Sequence, residues 1–94
     1  MMSEIFPKLE GLKREDRDKE ILRIGLIAEL DAINLYEQLA ASTDNEEIKK
    51  ILLDVAKEEK THVGEFLALL LKHDQEQEKE LEEGKKEVEE LTSG

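Results

Sequence analysis

Glu59 and His62 form a Glu-x-x-His motif, the first candidate for chemistry in this sequence. Residues three positions apart on an α-helix share one face, with Cβ atoms about 5–6 Å apart, so both side chains can reach one metal ion. Carboxylate and imidazole ligands suit iron, manganese or zinc, and the absence of cysteine excludes thiolate sites. The motif alone also occurs by chance on helices, where the glutamate pairs with a lysine and the histidine is an ordinary core residue.

Glu29 is a third polar residue in an apolar setting. On helical wheels of residues 16–41 and 46–73, Glu29 is central to the first apolar arc, and Glu59 and His62 are central to the second. These arcs contain Leu22, Gly25, Leu26, Ile33, Tyr36 and Ala40, and Ile48, Ile51, Leu52, Val55, Val63, Phe66, Leu69 and Leu70. Because a lone buried carboxylate is unfavourable unless it is paired or binds a metal, the three residues together predict one metal site. Glu29 alone would fit an interface charge equally well.

Two further residues, Tyr36 and His73, have side chains that could take part in a site. Tyr36 lies two turns after Glu29 on the same face and is a candidate site-lining residue, although a buried tyrosine more often serves packing. His73 lies three turns beyond His62, where a histidine interacts favourably with the negative end of a helix dipole. It is therefore interpreted as a helix-terminal residue and not as a ligand.

Helical elements must position these side chains. Apolar residues recur at helical spacing over residues 16–41 and again over 46–73, which predicts two helices. A connection of four residues favours an antiparallel hairpin. Residues 1–14 resemble an irregular arm, and residues 75–91 are predicted as a charged C-terminal helix or tail.

The connection between the two helices is a run of turn-forming residues. Within it, Thr43 with Glu46, or Asp44 with Glu47, has the spacing of a capping box. Either pair is expected to begin the second helix.

The composition predicts a single small, all-α domain. The chain has 94 residues, of which 41% are charged and 3% aromatic, and this favours exposed helices over a β-rich core. Its formal net charge of −11 argues against nucleic-acid binding, because phosphate contacts need a basic surface. Its longest apolar run, Phe66 to Leu71, is far shorter than the roughly 20 residues that span a bilayer, so no membrane association is expected.

The number of candidate ligands predicts self-association. Carboxylate di-iron bundles take a Glu from each of two helices and a Glu-x-x-His from each of the other two. This chain offers two core helices with one Glu and one Glu-x-x-His, which is half of that set. A two-fold dimer would supply the other half, cover the apolar arcs and form a ferritin-like four-helix bundle.

The same residues resemble a known family, the encapsulated ferritins, which are ferritin-like cargo proteins of encapsulin nanocompartments. The resemblance extends from about Ile24 to Asp74, and the spacing between its motifs agrees as well. It is carried by Ala28-Glu29-Leu30-Asp31-Ala32, Leu35-Tyr36-Glu37-Gln38, Ala41-Ser42-Thr43-Asp44 and Glu58-Glu59-Lys60-Thr61-His62.

The resemblance implies a ferroxidase, which oxidises Fe(II) with oxygen at a di-iron centre shared between two subunits, with one iron per chain. It implies that Glu29, Glu59 and His62 are iron ligands, that Glu29 or Glu59 bridges, and that Tyr36 lies close to the centre. It also implies a ring of dimers, typically a decamer, in the cytoplasm inside an encapsulin shell that stores the mineral.

Some positions depart from the family pattern. Family members can carry extra carboxylates that guide iron inward, whereas Ala28 precedes Glu29 here and Asp31 remains available. The aromatic residue of some members is Leu35 in this chain. No shell-targeting peptide is evident after Leu91, which fits either its removal or a fusion to the shell protein.

Two other functions stay open on the sequence. A non-catalytic helical scaffold or cargo adaptor would use the buried Glu and His residues only to fix assembly. Another carboxylate-bridged manganese or iron protein, acting on peroxide, would use the same ligands. The number of metal ions bound per chain distinguishes a scaffold from a ferroxidase. Comparing the consumption of oxygen with that of peroxide distinguishes a peroxide-handling protein from a ferroxidase.

Overall fold

Three α-helices account for nearly all of the residues that the computed structural model describes, which are residue 9 and residues 11–93. They are α1 (Arg14–Ala41), α2 (Glu46–His73) and α3 (Gln75–Thr92), and this part of the chain contains no strand. The predicted all-α class is therefore confirmed. The arm expected at residues 1–14 lies largely outside the described residues.

Helix α1 begins two residues before its expected start at residue 16. Its N-cap residue, Lys13, has an extended backbone and makes no side-chain capping hydrogen bond. Lysine has no acceptor to offer the free N–H groups, so no capping signal marked this start. Glu15 and Asp16 instead lie in the first turn, where negative charge is favourable near the positive end of the helix dipole.

Helices α1 and α2 are joined by a tight turn whose capping differs from both predicted capping boxes. The N-cap of α2 is Asn45, whose side-chain oxygen accepts a hydrogen bond from the Ile48 backbone N–H at 3.0 Å. The Thr43 hydroxyl accepts from the Asn45 backbone N–H at 3.1 Å, so it stabilises the turn and not the helix. Asn45 takes this role because it directly precedes the first helical residue.

The antiparallel pair of α1 and α2 is the main packing unit, and a single chain buries little. Its buried apolar residues are Ile24, Ala40, Ala56 and Leu70, and no polar or charged residue is buried in the described range. Large aliphatic side chains stay exposed on all three helices. Within residues 9 and 11–93, no helix has the length and apolar character needed to cross a membrane.

Asp74 separates α2 from α3 by one non-helical residue. Its side chain accepts a hydrogen bond from the Gln77 backbone N–H at 3.0 Å and so caps α3. Its other oxygen accepts from the Arg23 guanidinium on α1 at 2.8 Å. The principal-axis extents are 47 × 45 × 20 Å.

Candidate metal centre

The two helices of the hairpin bring Glu29, Glu59 and His62 together. Glu29 lies in the middle of α1, and Glu59 and His62 lie one turn apart in the middle of α2. One potential ligand atom from each side chain falls within 4.8 Å of the others. The three residues that the helical wheels singled out are therefore neighbours in space, at a separation that one metal ion can bridge.

His62 points the same ring nitrogen at both carboxylates. Its Nδ1 lies 3.3 Å from Glu29 Oε2 and 3.5 Å from Glu59 Oε2. The glutamate side chains are only 17% and 19% exposed, whereas the His62 side chain is 43% exposed. The carboxylates are thus shielded between the helices, and the imidazole lies at the open edge of the site.

This donor set fits iron. With a proton on Nδ1, His62 donates a hydrogen bond to Glu29; with that proton removed, the same nitrogen is free to bind a cation that also attracts both carboxylates. Two carboxylates and one imidazole supply oxygen and nitrogen donors of the kind that iron, manganese and zinc accept. Histidine and carboxylate ligands must be deprotonated for this, so metal binding and proton release are coupled.

Within the described residues, no ion pair joins Glu59 to a lysine. Lys60, next to Glu59 in sequence, pairs with Glu37 of α1 at 3.1 Å. Both partners of this pair are exposed. Adjacent helical residues point about 100° apart, so this pair and the cluster of Glu29, Glu59 and His62 use different parts of the interface between α1 and α2.

Tyr36 and His73 lie outside the cluster of three. Tyr36 is partly buried on α1 and lies about 10 Å along the helix axis from Glu29, at 1.5 Å per residue. Its role beside the metal stays a prediction. His73 is the exposed last residue of α2. Asp31, considered above for guiding iron, is exposed on α1 and is also not part of the cluster.

A close contact next to the site was not predicted from the sequence. Gly25 lies one turn before Glu29, and Phe66 lies one turn after His62. A Cβ atom on residue 25 would approach the Phe66 ring to 2.9 Å. Both residues belong to the apolar arcs, but their pairing depends on how the two helices align, which the periodicity of one helix does not contain.

The side of α2 that carries His62 presents an exposed apolar stripe, formed with Ile51, Val55 and Leu69. Along Ile51, Val55, His62 and Leu69 the separations are four, seven and seven positions, so the four residues share one helical face. Ile51 is 64% exposed and Leu69 is 47% exposed. The open edge of the cluster of Glu29, Glu59 and His62 is thus flanked on α2 by aliphatic side chains, of which Ile51 and Leu69 are exposed in the single chain.

Comparisons with known proteins agree with this architecture. The model of the EncFtn-like family matches residues 4–85. Over 73 residues, 78% of the chain, the sequence is 66% identical to the ferritin-like–encapsulin shell fusion protein of Pyrococcus furiosus and covers 21% of it. Over 73 residues it is also 41% identical to the encapsulin nanocompartment cargo protein EncC of Myxococcus xanthus and covers 56% of it.

The fold also matches a solved structure. The crystal structure of the encapsulated ferritin domain from Pyrococcus furiosus superposes with a TM-score of 0.85 at 56% identity. The match covers 90% of this chain and 87% of that one. The chain therefore has the fold of that domain, and it spans about a fifth and just over half of the two curated relatives.

Proposed function

Because this chain belongs to the EncFtn-like family, we propose that it is a ferroxidase that oxidises Fe(II) to Fe(III) with dioxygen at a di-iron centre shared by two copies of the chain. The observation that supports it best is the convergence of Glu29, Glu59 and His62 within 4.8 Å. This is half of the ligand set of a carboxylate di-iron bundle.

Each of the three side chains has a distinct part in this reaction. Glu29 and Glu59 would hold iron through their carboxylate oxygens and offset its charge. His62 binds through Nδ1, the nitrogen that faces both carboxylates. Iron bound there would supply the redox chemistry: the two Fe(II) ions of a complete centre would give two electrons in total to one dioxygen, which reduces it to the peroxide level. Negative ligands favour Fe(III) over Fe(II), because the higher charge interacts more strongly with carboxylates.

A second copy of the chain completes the centre. His62 is at the open edge of the half site, and the apolar stripe of Ile51, Val55 and Leu69 continues along the same face. A two-fold axis beside His62 would bring two half sites together and cover both stripes. The result is a four-helix bundle with one iron per chain. Further association of such dimers into a ring, such as a decamer, fits the aliphatic residues exposed elsewhere on the hairpin and on α3.

An encapsulin shell is the proposed partner of the assembled protein. One relative joins a ferritin-like part and a shell part in a single chain, and another is a nanocompartment cargo protein. By analogy, this domain acts in the cytoplasm within a nanocompartment, where the shell holds the oxidised iron. The domain itself forms no storage cage in this proposal.

A pair of neighbouring glutamates tests the ferroxidase. Glu59 is in the cluster, whereas its neighbour Glu58 is exposed and points about 100° away from it. We expect Glu59→Ala to lose stoichiometric iron binding and most Fe(II) oxidation, and Glu58→Ala to keep both. Anaerobic Fe(II) titration should give about one iron per wild-type chain, followed by oxygen consumption on exposure to air.

Three outcomes would contradict the proposal. Equal oxidation rates in the two variants would remove Glu59 from the site. Absence of stoichiometric iron binding in the wild type would favour a structural scaffold. Consumption of peroxide in preference to dioxygen, with Mn(II) as effective as Fe(II), would favour a peroxide-handling protein.

A further inference from the structure

One helical turn from the contact between Glu29 and His62, the two helices approach closely at Gly25 and Phe66. Gly25 precedes Glu29 by four residues, and Phe66 follows His62 by four residues, so both pairs lie at neighbouring levels of the antiparallel hairpin. An ideal Cβ on residue 25 would lie 2.9 Å from Phe66 Cδ1 and Cε1 and 3.1 Å from Cζ. The ring therefore occupies the space that any side chain at position 25 would need.

We propose that Gly25 and Phe66 are positioning residues for the metal centre, in that their contact sets the distance between Glu29 on α1 and His62 on α2. The proposal rests on the function proposed above. The Phe66 ring lies against the backbone of α1 because no side chain separates them. The spacing of the helices is thereby fixed one turn, about 6 Å, from the ligands that must meet across the same interface.

A small displacement at this contact is sufficient to affect metal binding. Packed interiors have few voids, so a methyl group added between two helices moves the ring, the helices or both. Metal–ligand distances tolerate deviations of only about 0.2 Å. A shift of a few tenths of an ångström between Glu29 and His62 would therefore weaken binding even though neither ligand has changed.

Gly25→Ala is expected to stabilise the helix α1 while it disturbs the geometry of the site. In a helix interior, alanine is favoured over glycine, so Gly25→Ala should strengthen α1 as an isolated helix. A loss of metal binding in this variant would then not be a consequence of a weaker helix. It would report the added methyl group against Phe66.

A second glycine provides a matched control. Gly64 lies within α2 only two residues after His62, and a Cβ there would meet nothing within 4 Å. Gly64→Ala therefore makes the same chemical change in a helix interior near the site, without the contact. The double variant Gly25→Ala/Phe66→Leu keeps the methyl group but removes most of the ring that it would meet.

The test is a Co(II) titration of the full chain, followed by visible absorption, with helicity and assembled mass measured alongside. By comparison with the loss of other groups that orient metal ligands, we expect the dissociation constant of Gly25→Ala to rise about 10–100-fold. Gly64→Ala should bind as the wild type does. Gly25→Ala/Phe66→Leu should recover most of the affinity lost in the single variant.

Wild-type affinity in Gly25→Ala would overturn the proposal, as would a loss in Gly25→Ala that Phe66→Leu does not restore. A loss of equal size in Gly64→Ala would also overturn it, because the contact would then not be the cause. Glu29→Ala separates this failure from that of the proposed function. If Glu29→Ala binds Co(II) normally, the ligand assignment is wrong; if it does not and Gly25→Ala does, only the positioning role is wrong.

Discussion

A single imidazole nitrogen faces two carboxylates from different helices, and this is the central feature of the chain at the scale of residues. Nδ1 of His62 lies 3.3 Å from Glu29 and 3.5 Å from Glu59. A proton on this nitrogen would be donated to Glu29, the nearer acceptor, whereas a cation of higher charge can attract both carboxylates at once. The arrangement is therefore better suited to a metal ion than to a proton.

The chain contains two histidines, which makes a matched pair for testing this arrangement. We expect His62→Ala to weaken Fe(II) binding by more than about 10-fold. Removing a group that only orients a metal ligand already lowers metal affinity by about 10-fold or more, and removing a ligand itself should lower it further. His73→Ala should leave binding unchanged, because His73 lies at the end of α2. Anaerobic Fe(II) titration measures both. Equal affinities in the two variants would exclude His62 as a ligand.

At the scale of elements, Asp74 fixes where α3 begins and how it leaves the hairpin. The Gln77 backbone N–H holds the pKa of Asp74 below its ordinary value, and the nearby cations Arg23 and Lys19 act in the same direction. The same carboxylate caps α3 and pairs with α1. Its ionised form is therefore linked to the folded junction of all three helices.

Acid should weaken this junction. Because the folded pKa of Asp74 is below the unfolded one, the unfolded chain binds more protons in acid, and stability falls as the pH falls. The contribution is fully present above the ordinary pKa of 3.8 and is lost as the pH drops through the lowered value. We expect helicity, followed by circular dichroism, to decline over this range. Asp74→Asn should flatten the decline, because asparagine caps a helix without titrating; an unchanged acid profile would contradict the linkage.

The features that the sequence could predict are those that depend on neighbours along one helix. Helical periodicity was sufficient for the all-α class, and the central positions of Glu29, Glu59 and His62 on their arcs indicated three residues that do lie close together in the structure. The prediction of the α2 N-cap was wrong. Thr43, Asp44 and Asn45 can all cap a helix, and the N-cap is the one that directly precedes the first helical residue, which the sequence does not specify. The contacts of Gly25 with Phe66 and of Arg23 with Asp74 depend on the alignment of distant helices, which no local pattern specifies.

For the whole molecule, the uncovered aliphatic surface is the dominant feature. The described part of the chain is only 20 Å thick, and few of its apolar residues are buried. A small chain with so little core gains most from association with other chains. The proposed dimer would provide this gain and complete the metal centre through the same contact.

Two exposed residues on opposite sides of α2 test this coupling. Ile51 belongs to the stripe beside His62, whereas Leu53, two positions later, points about 200° away from it. We expect Ile51→Lys to prevent pairing, because an unpaired charge in an apolar interface is unfavourable, and to lose Fe(II) oxidation with it. Leu53→Lys should keep the oxidation rate. Light scattering and oxygen consumption measure the two properties; oxidation by a monomeric Ile51→Lys chain would exclude a shared centre.

In the proposed dimer, the open edge at His62 would also make the chemistry depend on how many chains are present. If each complete centre needs two copies, mass action makes the number of centres rise with the square of the chain concentration when chains are dilute. A newly made, solitary chain would then hold its glutamates and histidine ready but leave iron and oxygen unreacted. Confinement at high local concentration would switch the reaction on, without any change in the fold of the individual hairpin.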